Sequence, residues 1–374
     1  MSAGGTAARV ERTGAILGSA GALVWLLIGQ IDPAHAFQGL LGASVWLIAF
    51  PVGAIAVLSA HALTGGRWGG AVAPPARAVL GLMPFALAPY LLMLAGAREI
   101  LFPWTAPFDT LHEIVRNKAF YLNEPFFAVR FGVYLVAWLA LARALGREDR
   151  AVPAGLAAAG LILFLLTVTY FGFDWLMSLQ PEWYSDIFGL MLCAEFLIAT
   201  AALAIFVGWY ARPEASAEEA DALADAASLL FVVCLGWAAL AFLQYLIIWM
   251  TNLPDEILYY LARGGGWVVL DAALWALWLG VPLLVLSRGA LKRRRRTMLW
   301  AAGAILGGHL ARAAWLAMPP FSPGEFSINL AFPAAVLGLG GFGAAILARR
   351  LARARATADP IVAHDETAAG EGAR

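Results

Sequence analysis

The chain has 374 residues, of which 62% are hydrophobic and only 13% charged, with acidic and basic side chains in equal number. A soluble globular protein carries roughly 25% charged residues, so most of this surface faces lipid. A net charge of zero excludes a nucleic-acid binder that works through a basic face. The two cysteines, Cys193 and Cys234, sit inside apolar runs and form neither C-x-x-C nor C-x-x-C-H. That excludes covalent haem attachment and a four-cysteine iron–sulfur cluster held by this chain alone.

An apolar run near twenty residues is long enough to cross a bilayer as a helix. About ten follow one another by that rule. They are Gly14 to Ile31, Leu40 to Ala60, Val79 to Ala97, Phe126 to Ala144, Val152 to Phe171, Ile187 to Val207, Ala226 to Met250, Trp267 to Leu286, Met298 to Met318, and Ile328 to Ala348. The pattern predicts an all-α integral membrane protein, with residues 1–355 as a polytopic transmembrane domain. Residues 356–374 read as a polar, disordered cytoplasmic tail.

Loop charge orients the spans, because cytoplasmic loops collect Lys and Arg. One set of loops holds Arg67 and Arg77, then Arg143, Arg147 and Arg150, then Arg212, then Arg288 with the run Lys292 to Arg296; the C-terminal flank adds Arg349, Arg350, Arg353 and Arg355. The opposite loops carry only Arg98, Arg116, Lys118 and Arg263. Both termini are therefore expected in the cytoplasm of a bacterium, with the spans in its inner membrane. The first run has a rival reading. Arg9 and Arg12 precede it, and Ala34-His35-Ala36 has the small-x-small form of a signal-peptide cleavage site; either reading leaves the remaining topology unchanged.

Three connections are more than simple turns. In the loop from Arg98 to Pro125, Leu111, Ile114, Val115 and Phe120 are spaced as on an amphipathic helix. Asn252 to Gly266 has an Asn-Leu-Pro-Asp-Glu start and a glycine stop around a short helix. The acidic stretch with Glu214, Glu218, Glu219 and Asp221 is either a disordered loop or the start of the next helix.

An ionisable residue at membrane depth is expensive and marks a pairing, a water path or a ligand. At a rise of about 1.5 Å per residue, Glu195 falls near the middle of the sixth span, and His309 and Arg312 at or just outside the midplane of the ninth. Asp271, Arg130 and Gln244 fall in the outer parts of the eighth, fourth and seventh spans, and Asp174 at the outer end of the fifth. A polar half-basin open to the outside suits a quinol or proton site. Each residue also has a plainer reading: Arg130 as one half of a structural ion pair, Arg312 as the neutraliser of Glu195 or Asp271, His309 as a hydrogen-bonded core histidine. Only His309, of five histidines, lies deep in a span, so two haems held by histidine pairs are excluded. No phosphate-binding loop or metal-ligand cluster stands out.

Between the fifth and sixth spans lies Phe171 to Gly189, FGFDWLMSLQPEWYSDIFG, a polar and aromatic turn of the kind found where a membrane protein meets a head group or partner. Its Phe173-to-Gly189 part is similar to a run in the polysulfide-reductase-type (NrfD-like) membrane subunits of the quinol:cytochrome c oxidoreductase called alternative complex III. A second stretch, Phe242 to Trp249 followed by Asn252-Leu253-Pro254-Asp255-Glu256, resembles that family's Gln-Tyr-x-x-Ile-Trp…Asn-x-Pro-(Glu/Asp)-Glu run, and Gly265-Gly266-Trp267 fits downstream. The chain departs from the family at Glu182 and Asp186, where His and Thr often stand, and at Met250-Thr251, which replace a more aromatic pair.

The resemblance implies two four-helix bundles with flanking helices and no covalently bound cofactor. Quinone or quinol would be a transient ligand. It also implies partner subunits carrying haem c and iron–sulfur clusters, further membrane subunits, and surrounding lipid. In that reading Asp174, Glu195, Asp271, His309, Arg312, Arg130 and Gln244 line a quinol or proton site, and Trp175, Trp183, Tyr184, Trp249, Asn252, Asp255 and Glu256 form the interfacial rim. Two other readings stay open: a proton-coupled secondary transporter, for which Pro84, Pro89 and Pro282 inside spans would serve as helix breaks, and a structural anchor for peripheral redox subunits.

Overall fold

The computed structural model describes the backbone of residues 3–147 and 151–371, and side chains from 5 to 147 and from 151 to 354. Arg150, one of the orienting loop arginines, lies outside the described residues. The described backbone is helix and turn without a strand. Its helices are α1 Ala3–Ile31, α2 Pro33–Thr64, α3 Trp68–Leu80, α4 Met83–Gly96, the short α5 Arg98–Leu101 and α6 Glu113–Asn117, then α7 Glu124–Leu145, α8 Ala154–Trp175, α9 Phe188–Ala211 and α10 Ala217–Thr251. They continue as α11 Pro254–Leu261, α12 Trp267–Trp275, α13 Gly289–Lys292, α14 Arg295–Ala317 and α15 Ala331–Glu371. This is an all-α integral membrane protein.

Among the described residues, eight helical segments are long and apolar enough to cross a membrane; α3 and α4, bent at 40°, make a ninth if they count as one span. Pro84 sits in the first turn of α4 and has no N–H to continue the α3 ladder across the break. The expected span Met298 to Met318 is a 23-residue helix, α14. It is less apolar than the others because it carries His309 and Arg312, both buried. The eighth span leaves the α-helical pattern after α12, continuing as π-helical turns over Ala276–Gly280 and Pro282–Leu286.

The helices group into two neighbouring bundles in broad contact: α2 packs on α3, α4, α7 and α8 in the first, α9 packs on α10 and α14 with α12 on α14 in the second, and α2, α3 and α8 also pack directly on α9, with α3 on α10. The α1 and α15 helices pair along their length outside both, joined to them chiefly through α2. Glycines set that pairing: a Cβ on Gly21 would lie 2.3 Å from the Gly338 nitrogen, and one on Gly341 would lie 2.4 Å from the Gly18 nitrogen. Helix backbones therefore touch, as small residues permit in membranes.

The seam between the bundles runs along α2, which is buried on all sides over most of its length. Thr200 on α9 donates its hydroxyl to the Phe50 carbonyl at 2.9 Å and to the Ala49 carbonyl at 3.2 Å. Beside it, Gly53 presses directly on the Phe196 carbonyl. The arginine-rich end is laced by Arg67 to Asp225, Arg293 to Asp221 and Arg212 to Glu219. The acidic stretch belongs to α10, whose first turn is closed by a reciprocal cap between Ser216 and Glu219.

Two loop expectations fare differently. Asn252 caps α10 in the left-handed conformation (φ 49°), α11 follows, and Gly265 (φ 58°) turns the chain into α12, as the glycine stop suggests. In the Arg98 loop the stretch with the expected apolar spacing forms only the five-residue α6, after the four residues of α5 and two 3-10 turns. Pro103 and Pro107 interrupt the chain before it, and Phe120, expected on the apolar face, is exposed. Helical backbone also continues to Glu371, past Arg355, into the segment read as a disordered tail; its alanines favour helix.

Because an added Cβ at Gly53 would sit 2.3 Å from both the Phe196 oxygen and the Thr200 hydroxyl, Gly53→Ala should destabilise the detergent-solubilised protein by about 1–3 kcal/mol. Gly70→Ala, where nothing lies within 4 Å, should leave the thermal midpoint unchanged by tryptophan fluorescence.

Candidate functional site

The polar residues of the interior gather toward the end of the bundles opposite the arginine-rich loops. They form two separate ion pairs, one in each bundle. In the first, α8 ends at Trp175 and so places Asp174 on its last turn, facing α7. Arg130 Nε reaches both Asp174 oxygens at 3.1 and 3.0 Å, Nη2 reaches Oδ1 at 2.8 Å, and the Tyr134 hydroxyl donates to Oδ2 at 2.7 Å. Arg130 Nη1 donates to the Tyr121 carbonyl at 2.9 Å, and its guanidinium lies over the Tyr121 and Phe126 rings. Both members are buried, and the guanidinium fork is matched to the carboxylate.

In the second bundle, Glu195 is the eighth residue of the 24 in α9, about 10 Å from its start at about 1.5 Å per residue. It therefore lies in the loop-side half of α9 but closer to the middle than to the end, near where the sequence places it. Arg312 on α14 contacts Glu195 Oε1 through Nε and Nη2, both at 2.8 Å, and Trp237 Nε1 on α10 donates to the same oxygen at 3.0 Å. All three contacts fall on Oε1; Oε2 takes none of them. The Arg312 guanidinium also lies over the Trp315 ring at 4.4 Å.

His309, one turn before Arg312, faces away from this pair. Its Nε2 lies 3.0 Å from the Trp46 carbonyl, while Nδ1 is buried without a hydrogen-bond partner. A carbonyl only accepts, so Nε2 carries the proton and Nδ1 the lone pair. Asp271, half-buried on α12, makes no ion pair among the described residues. Gln244 is buried and accepts from the Ser185 hydroxyl at 2.9 Å. The seven expected site residues are thus found in two ion pairs, a core histidine, a loop tie and a carboxyl without an ion-pair partner among the described residues, with Asp271 in electrostatic reach of Arg312 and Arg263.

The expected rim needs correction. Trp175 is fully buried among Tyr90, Phe102, Phe127, Phe131 and Phe171. Trp183 is buried too, stacked on Tyr259 at 4.0 Å between ring centres. The last turn of α8 and the fold of the following loop aim both indoles inward, where about 200 Å² of aromatic surface is best hidden. Tyr184 and Trp249 are exposed, as are Asn252 and Asp255, with Glu256 half-buried and accepting from the Thr251 hydroxyl at 2.5 Å.

The sequence marks Arg263 only as a loop charge. It is buried and ties three elements together. Its Nη1 donates to Gln180 Oε1 and to the Tyr259 carbonyl, both at 2.9 Å; Nε reaches the Trp315 carbonyl at 3.2 Å and Nη2 the Leu316 carbonyl at 3.1 Å. Its guanidinium covers the Tyr259 ring at 3.6 Å. Burial lowers its pKa to about 10, which leaves it a cation at neutral pH. A lone arginine set in the aromatic run Tyr259-Tyr260…Trp267 was the available signal. Lys118, near the same loop, donates to the Pro181 carbonyl at 2.6 Å.

Compared with models of known protein families and with curated proteins, the chain matches none.

Breaking a buried pair costs more than removing it. Arg130→Leu should destabilise the protein by about 3–5 kcal/mol, with the Arg130→Leu/Asp174→Leu double variant recovering most of the loss in equilibrium unfolding in mixed micelles. Arg263→Lys, which keeps the charge but not the planar fork, should lower the thermal midpoint and expose the Trp183 loop to proteolysis.

Proposed function

We propose that this chain is a membrane subunit of a quinol-oxidising respiratory complex of the alternative complex III type, in a bacterial cytoplasmic membrane with both termini inside. One observation supports the reading above the others. The two stretches that carry the sequence resemblance lie some sixty residues apart in the chain, and they interlock at one end of the bundles. Ser185 of the first bonds Gln244 of the second, and the first also meets the segment between the second stretch and Gly265, where Gln180 bonds Arg263 and Trp183 stacks on Tyr259. One joined platform of this kind would suit the docking of a peripheral electron-transfer subunit.

In this reading a bound quinol gives up two electrons to haem and iron–sulfur groups on partner subunits and two protons to the outer side. Glu195 Oε2 is the acceptor for one of those protons. Arg312 and Trp237 hold the carboxylate by its other oxygen, so it takes and passes the proton without losing its place. Asp174, whose two oxygens are both engaged, is assigned a structural role beside the loop.

A second reading rests on the bent α3–α4 pair and the π-helical stretch after α12. Interrupted spans are common in secondary transporters, which would use the same carboxylate for proton coupling.

Gentle detergent extraction through a C-terminal tag decides between them. Haem-bearing partners with quinol-dependent cytochrome reduction are expected, and Glu195→Gln should assemble normally while turnover falls about 100-fold or more, the usual size of a general-base effect. A colourless single chain would overturn the respiratory reading, and unchanged turnover in Glu195→Gln would remove that residue from the site.

A further inference from the structure

Tyr259 is a buried titratable group to which the reading above gives no task. It lies on α11, between two spans, and is 2% exposed. Its ring is firmly held: Trp183 stacks on it at 4.0 Å between ring centres, and the Arg263 guanidinium covers it at 3.6 Å. Its hydroxyl has no hydrogen-bond partner. Phenylalanine would offer the same stacking and the same face to Arg263, so packing does not account for the oxygen. A buried hydroxyl left unpaired is destabilising, and such a group in a native protein marks a catalytic role or a bound water.

The surroundings supply both. The indole N–H groups of Trp183 and Trp315, whose rings pack on Tyr259, are also buried without acceptors. Glu195 keeps Oε2 clear of its three donors. Orphaned donors beside a free carboxylate oxygen suit a buried water, which takes about two to four polar partners. Tyr259 is in electrostatic reach of two carboxyls, Glu195 and Asp271. Glu195 is buried, whereas Asp271 is half-buried, the fifth residue of α12 after the α11 loop.

We propose that Tyr259 relays the proton of Glu195 to Asp271 on its way to the outer side, through water bonded to its hydroxyl. This rests on Glu195 as the acceptor of a quinol proton. Protonated Glu195 breaks its O–H bond and passes the proton through the water to the phenol oxygen. The phenol breaks its own O–H bond and gives that proton to the Asp271 carboxylate. No electron moves, Tyr259 ends neutral, and rotation about its C–O bond resets it. Burial raises the Tyr259 pKa, so the group rests as a neutral phenol and gives one proton only as it takes another. Arg263 and Arg312, both in reach, ease transient negative charge on the oxygen.

Tyr259→Phe in the complex isolated through its C-terminal tag tests the relay. The variant deletes only an unpaired hydroxyl, so its thermal midpoint should equal or exceed that of wild type. Quinol turnover should fall about ten-fold, and the solvent deuterium isotope effect on turnover should rise as proton release becomes limiting. Tyr260→Phe, one residue on, should do neither. A lowered midpoint, a slow variant with an unchanged isotope effect, or equal losses from both phenylalanine variants would overturn the relay in favour of a structural role. Glu195→Gln, measured beside them, separates the two readings. If Glu195→Gln is inactive and Tyr259→Phe turns over at the wild-type rate, the relay alone falls. If Glu195→Gln itself keeps the wild-type rate, the relay and the site fall together.

Discussion

Charge buried among apolar helices governs this molecule. Each ion taken out of water costs several kcal/mol, and only a well-shaped partner with further hydrogen bonds offsets that cost. Arg130 meets Asp174 with Tyr134 and Tyr121 filling the remaining valences, and Arg312 meets Glu195 with Trp237. Arg263 meets no carboxylate and instead spends its donors on Gln180 and three carbonyls. Aromatic faces lie over all three guanidiniums, which adds cation–π attraction where water is excluded.

These pairings explain how the bundles are held. The Arg130–Asp174 pair joins α7 to α8 inside the first bundle, and Arg312–Glu195 joins α14 to α9 inside the second. Arg263 closes the loop end over both α14 and the Phe171–Gly189 turn. Between the bundles no buried ion pair is found among the described residues; α2 meets α9 through small residues and the Thr200 hydroxyl, and the exposed Arg67–Asp225 pair joins the α2–α3 turn to α10 at the arginine-rich end. Glu195 differs from Asp174 in keeping one oxygen clear of its three donors.

Much of this was legible in the chain. Spans could be read because bilayer thickness sets helix length and composition marks it residue by residue. The buried ionisable residues could be listed for the same reason. The plainer readings of Arg130 and Arg312 as ion-pair partners match the structure, and so does that of His309 as a hydrogen-bonded core residue. What could not be read was which way an indole at a helix end turns. Trp175 and Trp183 sit in an aromatic turn that resembles a membrane rim, yet both point into the core, whereas Tyr184 beside them is exposed. The span Met298 to Met318 was legible too, as α14, although the buried His309 and Arg312 make it less apolar than its neighbours.

By itself the sequence determined an all-helical membrane protein, the approximate limits of its spans and the set of charges they carry, because each depends on local composition against a bilayer of known thickness. Only the tertiary structure decided that Asp174 belongs to Arg130, 44 residues away, and Glu195 to Arg312, 117 residues away. It also decided that they form two separate ion pairs. The reason is physical: a buried charge must find a partner, but which helix supplies it depends on how helices far apart in the chain are packed.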